Sequence, residues 1–147
     1  MAHDQLKLSN QICFPVYAAS RLITREYQPH LDELGITYPQ YIALMVLWEN
    51  DEITVNEITQ KLILNTNTVT PLLKRMEAQG LITRQRSNTD ERKVIVKLTH
   101  KGKMLESRAA EIPQKLIEGL ADSKMTVNEL VSLKESLYQI IIFLQSK

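Results

Sequence analysis

The residues of this 147-residue chain best suited to redox chemistry are its only cysteine and a tyrosine one helical turn away. Cys13 and Tyr17 are four residues apart, so in a helix they share one face. A thiolate attacks peroxides, and a phenol hydroxyl that donates a hydrogen bond to sulfur favours that thiolate. A lone cysteine between Ile12 and Phe14 is also typical of a small buried hydrophobic residue. The spacing alone leaves both roles open.

Short polar side chains gather at the start of a predicted helix in the middle of the chain. A preceding short helix, capped by Thr54, and a tight turn complete a helix-turn-helix pattern, whose second helix enters the major groove of DNA. Taken alone, the same cluster is also consistent with a simple helix cap. The residues predicted to reach bases and phosphates are Thr66, Asn67, Thr68 and Thr70, with Lys74 and Arg75 one turn further on.

Two alternating runs after Gly80 predict a β-hairpin with a basic tip. Residues 81–86 and 93–98 alternate between apolar and polar side chains around a polar loop. An arginine at such a tip can enter the minor groove, where the potential of DNA is most negative. Asp90 precedes Arg92 by two residues and is predicted to orient its guanidinium. The hairpin residues predicted to contact DNA are Arg84, Arg86, Asp90, Arg92 and Lys93.

Charge is distributed unevenly along the chain, although the formal net charge is only +1. Residues 1–60 hold three lysines and arginines against eight acidic residues, whereas residues 74–103 hold nine against three. A positive block in a near-neutral chain indicates a polyanion-binding surface, or more simply a solvated face. The helix-turn-helix and hairpin at the same place favour duplex DNA.

Length and composition predict one helical, cytoplasmic chain without a membrane segment. The N-terminus lacks the apolar core of a signal peptide, and the apolar runs are too short to span a bilayer. A single cysteine excludes a disulfide within the chain. No metal or other cofactor is expected, because His3, His30 and His100 are scattered.

The remaining periodicity predicts helices on both sides of the helix-turn-helix. The first spans about residues 8–27; it is kinked at Pro15 or begins near Phe14, and Gln28-Pro29-His30 is expected to end it. A short helix over 31–34 ends at Gly35, and another is capped at Thr37 or Tyr38, with Pro39 in its first turn.

Two helices are predicted after the hairpin. One, capped by Thr99, runs from about His100 to Leu120 with a bend at Pro113, and the last begins at Thr126, with Glu129 completing a capping box. The last helix carries an apolar stripe that exceeds what one small monomer needs. Its members are Leu130, Leu133, Leu137, Ile140, Ile141 and Leu144.

The stretch 65–84, the Asp90-Glu91-Arg92 segment, Leu98-Thr99 and Gly102 together resemble the MarR family of winged-helix repressors. The resemblance covers essentially the whole chain and implies a mainly α fold with a small β-hairpin wing. It implies that residues 38–103 form the DNA-binding lobe, and that residues 6–34 and 104–147 form a helical dimerisation region. The implied protein is a homodimer, and it is not an enzyme. It binds a pseudo-palindromic operator in double-stranded DNA.

The N-terminal half is similar to the organic-hydroperoxide-sensing repressors of that family, through segments 11–14, 17–21 and 37–41. This resemblance implies that an organic hydroperoxide oxidises Cys13 to a sulfenic acid. It implies that Tyr27 and Tyr38 reach the thiolate from the partner subunit, that Tyr17 lies close by, and that oxidation releases DNA. With no second cysteine, the chain resembles the one-cysteine type, whose sulfenic acid is captured by a low-molecular-weight thiol or over-oxidised. Pro15 departs from the pattern, since a helix former is expected there.

Two other functions remain open at the level of sequence. One is a MarR-type repressor released by a small aromatic or phenolic ligand, with Cys13 structural. The other is a thiol peroxidase that uses Cys13, against which the absence of a resolving cysteine and the complete winged helix argue. Replacing Cys13 by serine separates the redox-responsive repressor from the ligand-responsive one.

Overall fold

The computed structural model describes residues 2–121 and 123–147 of the chain. Within them the fold is mainly helical with one small three-stranded antiparallel sheet, which confirms the predicted fold class. Two single turns of 3₁₀ helix, Asp4–Leu6 and Leu8–Asn10, precede the first α-helix. The elements are α1 (Cys13–Leu34), α2 (Tyr38–Glu49), β1 (Ile53–Thr54), α3 (Val55–Leu62), α4 (Thr66–Ala78), β2 (Ile82–Arg86), β3 (Val94–Leu98), α5 (His100–Ala109), α6 (Ile112–Ala121) and α7 (Val127–Gln145).

Helix α1 is one continuous helix where the sequence predicted two. It begins at Cys13, so Pro15 lies in the first turn, where its missing N–H costs nothing. The prediction that Pro29 ends the helix is wrong, because α1 continues through it to Leu34. Leu31 beyond the proline is fully buried, and this burial offsets the hydrogen bond that Pro29 removes. The helix ends at Gly35, whose φ of 71° is left-handed, as predicted.

Helix α2 begins with a complete capping box. The Thr37 hydroxyl accepts a hydrogen bond from the Gln40 N–H, while the Gln40 carboxamide oxygen accepts one from the Thr37 N–H. Pro39 lies in the first turn, as predicted. The core side of the helix is Tyr41, Ala43, Leu44 and Leu47, all buried.

Helices α3 and α4 form the predicted helix-turn-helix. The Thr54 hydroxyl caps α3 by accepting from the Glu57 N–H, and Ile63 ends it with a φ of 56°. The Asn65 side chain caps α4. Pro71 lies in the second turn of α4. The helix packs on the core through Val69, Leu72, Leu73 and Met76, all buried.

Strands β2 and β3 form the predicted hairpin, in which Arg84 pairs with Val96 and Ile82 with Leu98. The sequence analysis did not predict β1, a two-residue strand that pairs with the other side of β3, so the strand order is β1-β3-β2. Strand β1 fixes the hairpin to the start of α3. The hairpin is therefore a wing held by the sheet rather than a loose arm.

Gly102 in the first turn of α5 allows a close approach to the loop before β2. A Cβ atom at this position would overlap the carbonyl oxygen of Leu81. The Gly102 carbonyl accepts a hydrogen bond of 3.0 Å from the indole N–H of Trp48. Thr99 caps α5 as predicted, by accepting from the Gly102 N–H.

The C-terminal region differs from the prediction of one bent helix over residues 100–120. The helix is interrupted at Ala110 and Glu111, and Pro113 lies in the first turn of α6, where proline is tolerated. The chain divides after Ala110 into two compact units. In the second unit, Thr126 and Glu129 form the predicted capping box of α7.

Helix α7 has no fully buried residue within the described chain. Half of its predicted apolar stripe is exposed: Leu133, Ile140 and Leu144 have exposures of 46%, 53% and 56%. The other members, Leu130, Leu137 and Ile141, are half-buried. Among the described residues, no helix combines the length and apolar character needed to cross a bilayer.

Candidate nucleic-acid interface and thiol site

The predicted base-reading residues lie at the N-terminal end of α4, on the side away from the core. Thr66, Asn67 and Thr68 are exposed and Thr70 is half-buried, because the buried face of α4 begins at Val69. The Asn65 carboxamide oxygen accepts from the Thr68 N–H at 3.0 Å and from its hydroxyl at 3.1 Å. These contacts fix the helix start and leave the threonine and asparagine side chains at an open helix terminus, which attracts phosphate. Lys74 and Arg75 are exposed one to two turns further along.

The wing tip is a tightly hydrogen-bonded loop that presents an arginine. The Ser87 hydroxyl accepts from the N–H groups of Thr89 and Asp90, and the Lys93 N–H donates to the Asp90 carbonyl. The Asp90 carboxylate accepts from the backbone N–H of Arg92 at 3.0 Å and from its Nε at 3.3 Å. The Arg92 side chain is 92% exposed, so Asp90 orients a guanidinium that projects into solvent.

The other basic residues of the wing differ in whether their side chains form hydrogen bonds within the protein. Arg86 is exposed but donates to the Glu91 carbonyl at 3.0 Å, which closes the loop. Lys93 is exposed beside it. Arg84 is half-buried and pairs with Glu77 of α4, whose carboxylate accepts from the Arg84 backbone N–H and from its guanidinium at 3.1 Å. Arg84 therefore ties the wing to α4, and its predicted contact with DNA stays a prediction.

Cys13 is an exposed free thiol at the first residue of α1. Tyr17 follows one turn later and is also exposed, and the Arg21 guanidinium lies 4.6 Å from the centre of its ring. The three residues form one row along the helix. The sequence analysis did not single out Arg21, although its spacing of four from Tyr17 is a recognisable signal.

Tyr27 and Tyr38 belong to a compact group of aromatic rings, the phenol cluster (Tyr27, Tyr38 and Tyr41). The ring centres are 5.0 Å apart for Tyr27 and Tyr38, 5.8 Å for Tyr27 and Tyr41, and 6.2 Å for Tyr38 and Tyr41. Burial, with smaller contributions from the other two phenols, raises the pKa of Tyr27 to about 12. Burial and then Tyr38 raise the pKa of Tyr41 as well. Both hydroxyls therefore remain neutral and able to donate. Tyr41 was missed by the sequence analysis, though it follows Tyr38 by three residues.

The phenol cluster and Cys13 lie far apart within one chain. Cys13 and Tyr27 are fourteen residues apart in the same helix, or about 21 Å along its axis at 1.5 Å per residue. A tyrosine side chain cannot bridge that distance. The structure thus places Tyr27 beside Tyr38, and Tyr17 one helical turn after Cys13, but it does not bring the two pairs together within one protomer.

Comparison with known proteins gives near-full-length matches. A family model for the transcriptional regulators SarA/Rot matches residues 25–108. The organic hydroperoxide resistance transcriptional regulator of Bacillus subtilis (strain 168) is 49% identical over 144 residues, 98% of this chain and 96% of that protein. The chain belongs to the winged-helix transcriptional regulators of the MarR and SarA/Rot type.

Solved structures of this winged-helix family match equally completely. Reduced AbfR bound to DNA is 36% identical with a TM-score of 0.77, and the match covers 98% of this chain and 99% of that one. Over-oxidised AbfR bound to DNA is 35% identical with a TM-score of 0.79, covering 99% and 100%. AbfR comes from Staphylococcus epidermidis. The resemblance to the MarR family, predicted from the motifs, is confirmed.

Proposed function

We propose that the chain is a homodimeric repressor that binds double-stranded DNA and releases it when an organic hydroperoxide oxidises Cys13. The observation that carries this proposal is an exposed Cys13 at the start of α1, in a regulator 49% identical to an organic hydroperoxide resistance transcriptional regulator. Such a protein acts on DNA in the cytoplasm and turns over no substrate.

The exposed surface of the winged helix supports DNA binding by two parts. The N-terminal end of α4 offers Thr66, Asn67, Thr68 and Thr70 to the major groove, with Lys74 and Arg75 for the phosphates. The wing offers Arg92, oriented by Asp90, to the minor groove, with Arg86 and Lys93 beside it. A dimer with two-fold symmetry would read a pseudo-palindrome through two such surfaces. Solved AbfR supports this proposal, since it is described as bound to DNA.

The exposed apolar side chains at both ends of the chain support a homodimer. Ile12, Val16 and Leu22 of the N-terminal region are 84%, 51% and 55% exposed. Ile142 and Phe143 of α7 are 64% and 61% exposed. Large apolar surfaces of this kind mark association sites. We propose that residues 6–34 and 104–147 form the dimer, and that the phenol cluster of one protomer reaches Cys13 of the other, since about 21 Å separates them within one chain.

The proposed chemistry has two balanced steps. The Cys13 thiolate attacks one oxygen of the hydroperoxide; an S–O bond forms, the O–O bond breaks, and the leaving alkoxide takes a proton to become an alcohol. Sulfur is oxidised by two electrons and the peroxide is reduced. A low-molecular-weight thiol then attacks the sulfenic sulfur; an S–S bond forms and the hydroxyl group leaves as water. Over-oxidised AbfR is described as bound to DNA. We therefore propose the mixed disulfide, rather than a further oxidised acid, as the form that releases DNA.

The test is binding of the protein to DNA from upstream of its own gene, followed by fluorescence anisotropy. Reduced protein should bind, and cumene hydroperoxide with added cysteine should weaken binding at least about tenfold, within the usual range of coupling between two sites. Mass spectrometry should find one cysteine adduct on Cys13. Hydroperoxide without the added thiol should release less DNA.

Two variants complete this test. Cys13→Ser should bind DNA and ignore the hydroperoxide. Met104→Leu controls for methionine oxidation, since Met104 is 57% exposed, and it should respond like the wild type. Release of DNA by hydroperoxide from the Cys13→Ser protein would refute the redox proposal. Release of that variant by phenolic compounds would point to the ligand-responsive alternative.

A further inference from the structure

Gln40 is the one buried polar side chain found within the described residues, with an exposure of 3%. Both ends of its carboxamide are used. The oxygen accepts from the Thr37 N–H at 3.1 Å, and the nitrogen donates to the carboxamide oxygen of Gln79 at 2.7 Å. A buried amide that lost either partner would keep its desolvation cost without compensation. Gln40 therefore holds two segments, 39 residues apart in sequence, in a fixed relation.

One of the two segments that Gln40 joins is the first turn of α2, in which Gln40 itself lies. We call this turn the bridge turn (residues 37–41). This turn also carries Tyr38 and Tyr41 of the phenol cluster. Pro39 and the capping box stiffen it. A displacement of the backbone at Tyr38 would move Gln40 with it, because both residues lie in this stiff turn.

The other segment that Gln40 joins is the C-terminal end of α4. Gln79 is the C-cap residue of that helix, and its carbonyl accepts a 2.9 Å hydrogen bond from the Lys101 amine. The next residue, Gly80, accepts from the Thr99 hydroxyl at 2.6 Å. Because an α-helix moves as a rigid element, a shift at Gln79 is carried to the exposed N-terminal end at Thr66.

We propose that the Gln40–Gln79 hydrogen bond is the link that carries a change at the phenol cluster to the DNA-reading helix α4. This inference rests on the proposed function and adds the residues through which oxidation weakens DNA binding. Gln40 and Gln79 are positioning residues: neither touches the thiol nor the exposed end of α4. Their effect is on the ratio of DNA affinities in the two redox states.

The experiment compares three variants of the full-length protein. Gln79→Ala removes the acceptor for Gln40 and leaves the capping box of α2 intact. Gln79→Glu keeps an acceptor of the same length at that position. Trp48→Phe is the matched control, because it removes a different hydrogen bond from α2, to the Gly102 carbonyl of α5, and keeps an aromatic ring beside Tyr41. Thermal melts ensure that all are folded at the assay temperature.

The readout is the ratio of DNA dissociation constants for protein oxidised by cumene hydroperoxide with cysteine and for reduced protein. In wild type, Trp48→Phe and Gln79→Glu we expect a ratio of at least about tenfold, and in Gln79→Ala below about threefold. The rate at which Cys13 is oxidised should be the same in all four. This combination separates a transmission residue from one that only stabilises the fold.

A Gln79→Ala protein that retains the wild-type ratio would overturn the inference while leaving the proposed function intact. Loss of the ratio in Gln79→Ala and Trp48→Phe alike would also overturn it, because general loosening of α2 would then be the cause. A wild-type ratio near one would refute the proposed function itself, and the inference with it.

Discussion

At the scale of residues, we expect the surface ion pair of the exposed wing arginine to serve DNA recognition rather than stability. Asp90 holds Arg92 through its Nε and its backbone N–H, yet the side chain remains 92% exposed. An ion pair this exposed adds little to folding. What it does is restrict the guanidinium to one direction before DNA arrives, so less ordering is needed on binding.

Arg92→Ala should weaken DNA binding at least about tenfold and reduce the magnitude of the slope of log K against log salt by about two, one for each protomer of the dimer. The reason is loss of one groove or phosphate contact per protomer. Fluorescence anisotropy across a potassium chloride series measures both. The control is Arg25→Ala, which changes an exposed arginine of α1 outside the proposed DNA-binding surface. An unchanged affinity and slope for Arg92→Ala would exclude the wing from the interface.

The half-buried phenol of Tyr27 gives the fold a pH dependence at high pH. Its pKa in the folded chain is about 12, whereas tyrosine in an unfolded chain ionises near 10. Between these pH values the unfolded chain loses a proton that the folded chain retains, so the free energy of unfolding falls as pH rises from about 10 to about 12.

Tyr27→Phe should therefore reduce the steepness of that fall. Urea denaturation at a series of pH values across this window measures it. Tyr138→Phe, at an exposed tyrosine of α7, should behave as the wild type. If the free energy of unfolding of Tyr27→Phe falls with pH as steeply as that of the wild type, this phenol does not cause the loss of stability at high pH.

At the scale of elements, the close approach of α5 to the loop before β2 depends on a missing side chain. Gly102→Ala would force its Cβ against the Leu81 carbonyl oxygen, and we expect a loss of about 1–3 kcal/mol in the free energy of unfolding. Gly119→Ala in α6 has open space around it and should gain up to about 1 kcal/mol from helix propensity. Urea denaturation of both variants measures the difference. Equal effects in the two would contradict the packing argument.

The elements also show what sequence patterns capture and what they miss. Capping signals at Thr37, Asn65, Thr99 and Thr126 act locally, so the helix starts followed directly from the sequence. The continuation of α1 through Pro29 did not, because it depends on burial of Leu31 by residues distant in sequence. Strand β1 has only two residues and exists through its pairing with β3, which no local pattern encodes.

In the candidate site, too, local sequence patterns predicted some features and missed others. The short polar residues of α4 and the tip of the wing were predicted from spacing, and they lie on an exposed surface. The pairing of Arg84 with Glu77, the position of Tyr41 among the phenols, and the link between Gln40 and Gln79 were not predicted. Each of these depends on tertiary packing of elements whose relative placement the sequence does not specify.

At the scale of the whole molecule, the apolar face of α7 predicts that the protein is stable only as an oligomer. Replacing both Leu133 and Ile140 by lysine should weaken dimerisation at least about a hundredfold, because two large apolar contacts become charged. Analytical ultracentrifugation over a concentration series measures the dissociation constant. Lys134→Glu on the same helix is the control. A double variant that remains dimeric would exclude this face from the interface.

Because about 21 Å of α1 separates Cys13 from Tyr27, a mixture of two different variants should behave differently from either variant alone. If each sensor is assembled from two chains, Cys13→Ser and Tyr27→Phe subunits should complement one another. A heterodimer of the two holds one intact sensor and one that lacks both groups. Subunit exchange in an equal mixture makes half of the dimers mixed, so about a quarter of all sensors should recover wild-type reactivity, although neither parent reacts normally. Stopped-flow alkylation or peroxide consumption before and after exchange would reveal this recovery, and its absence would mean that Tyr27 of the partner chain does not serve the thiol.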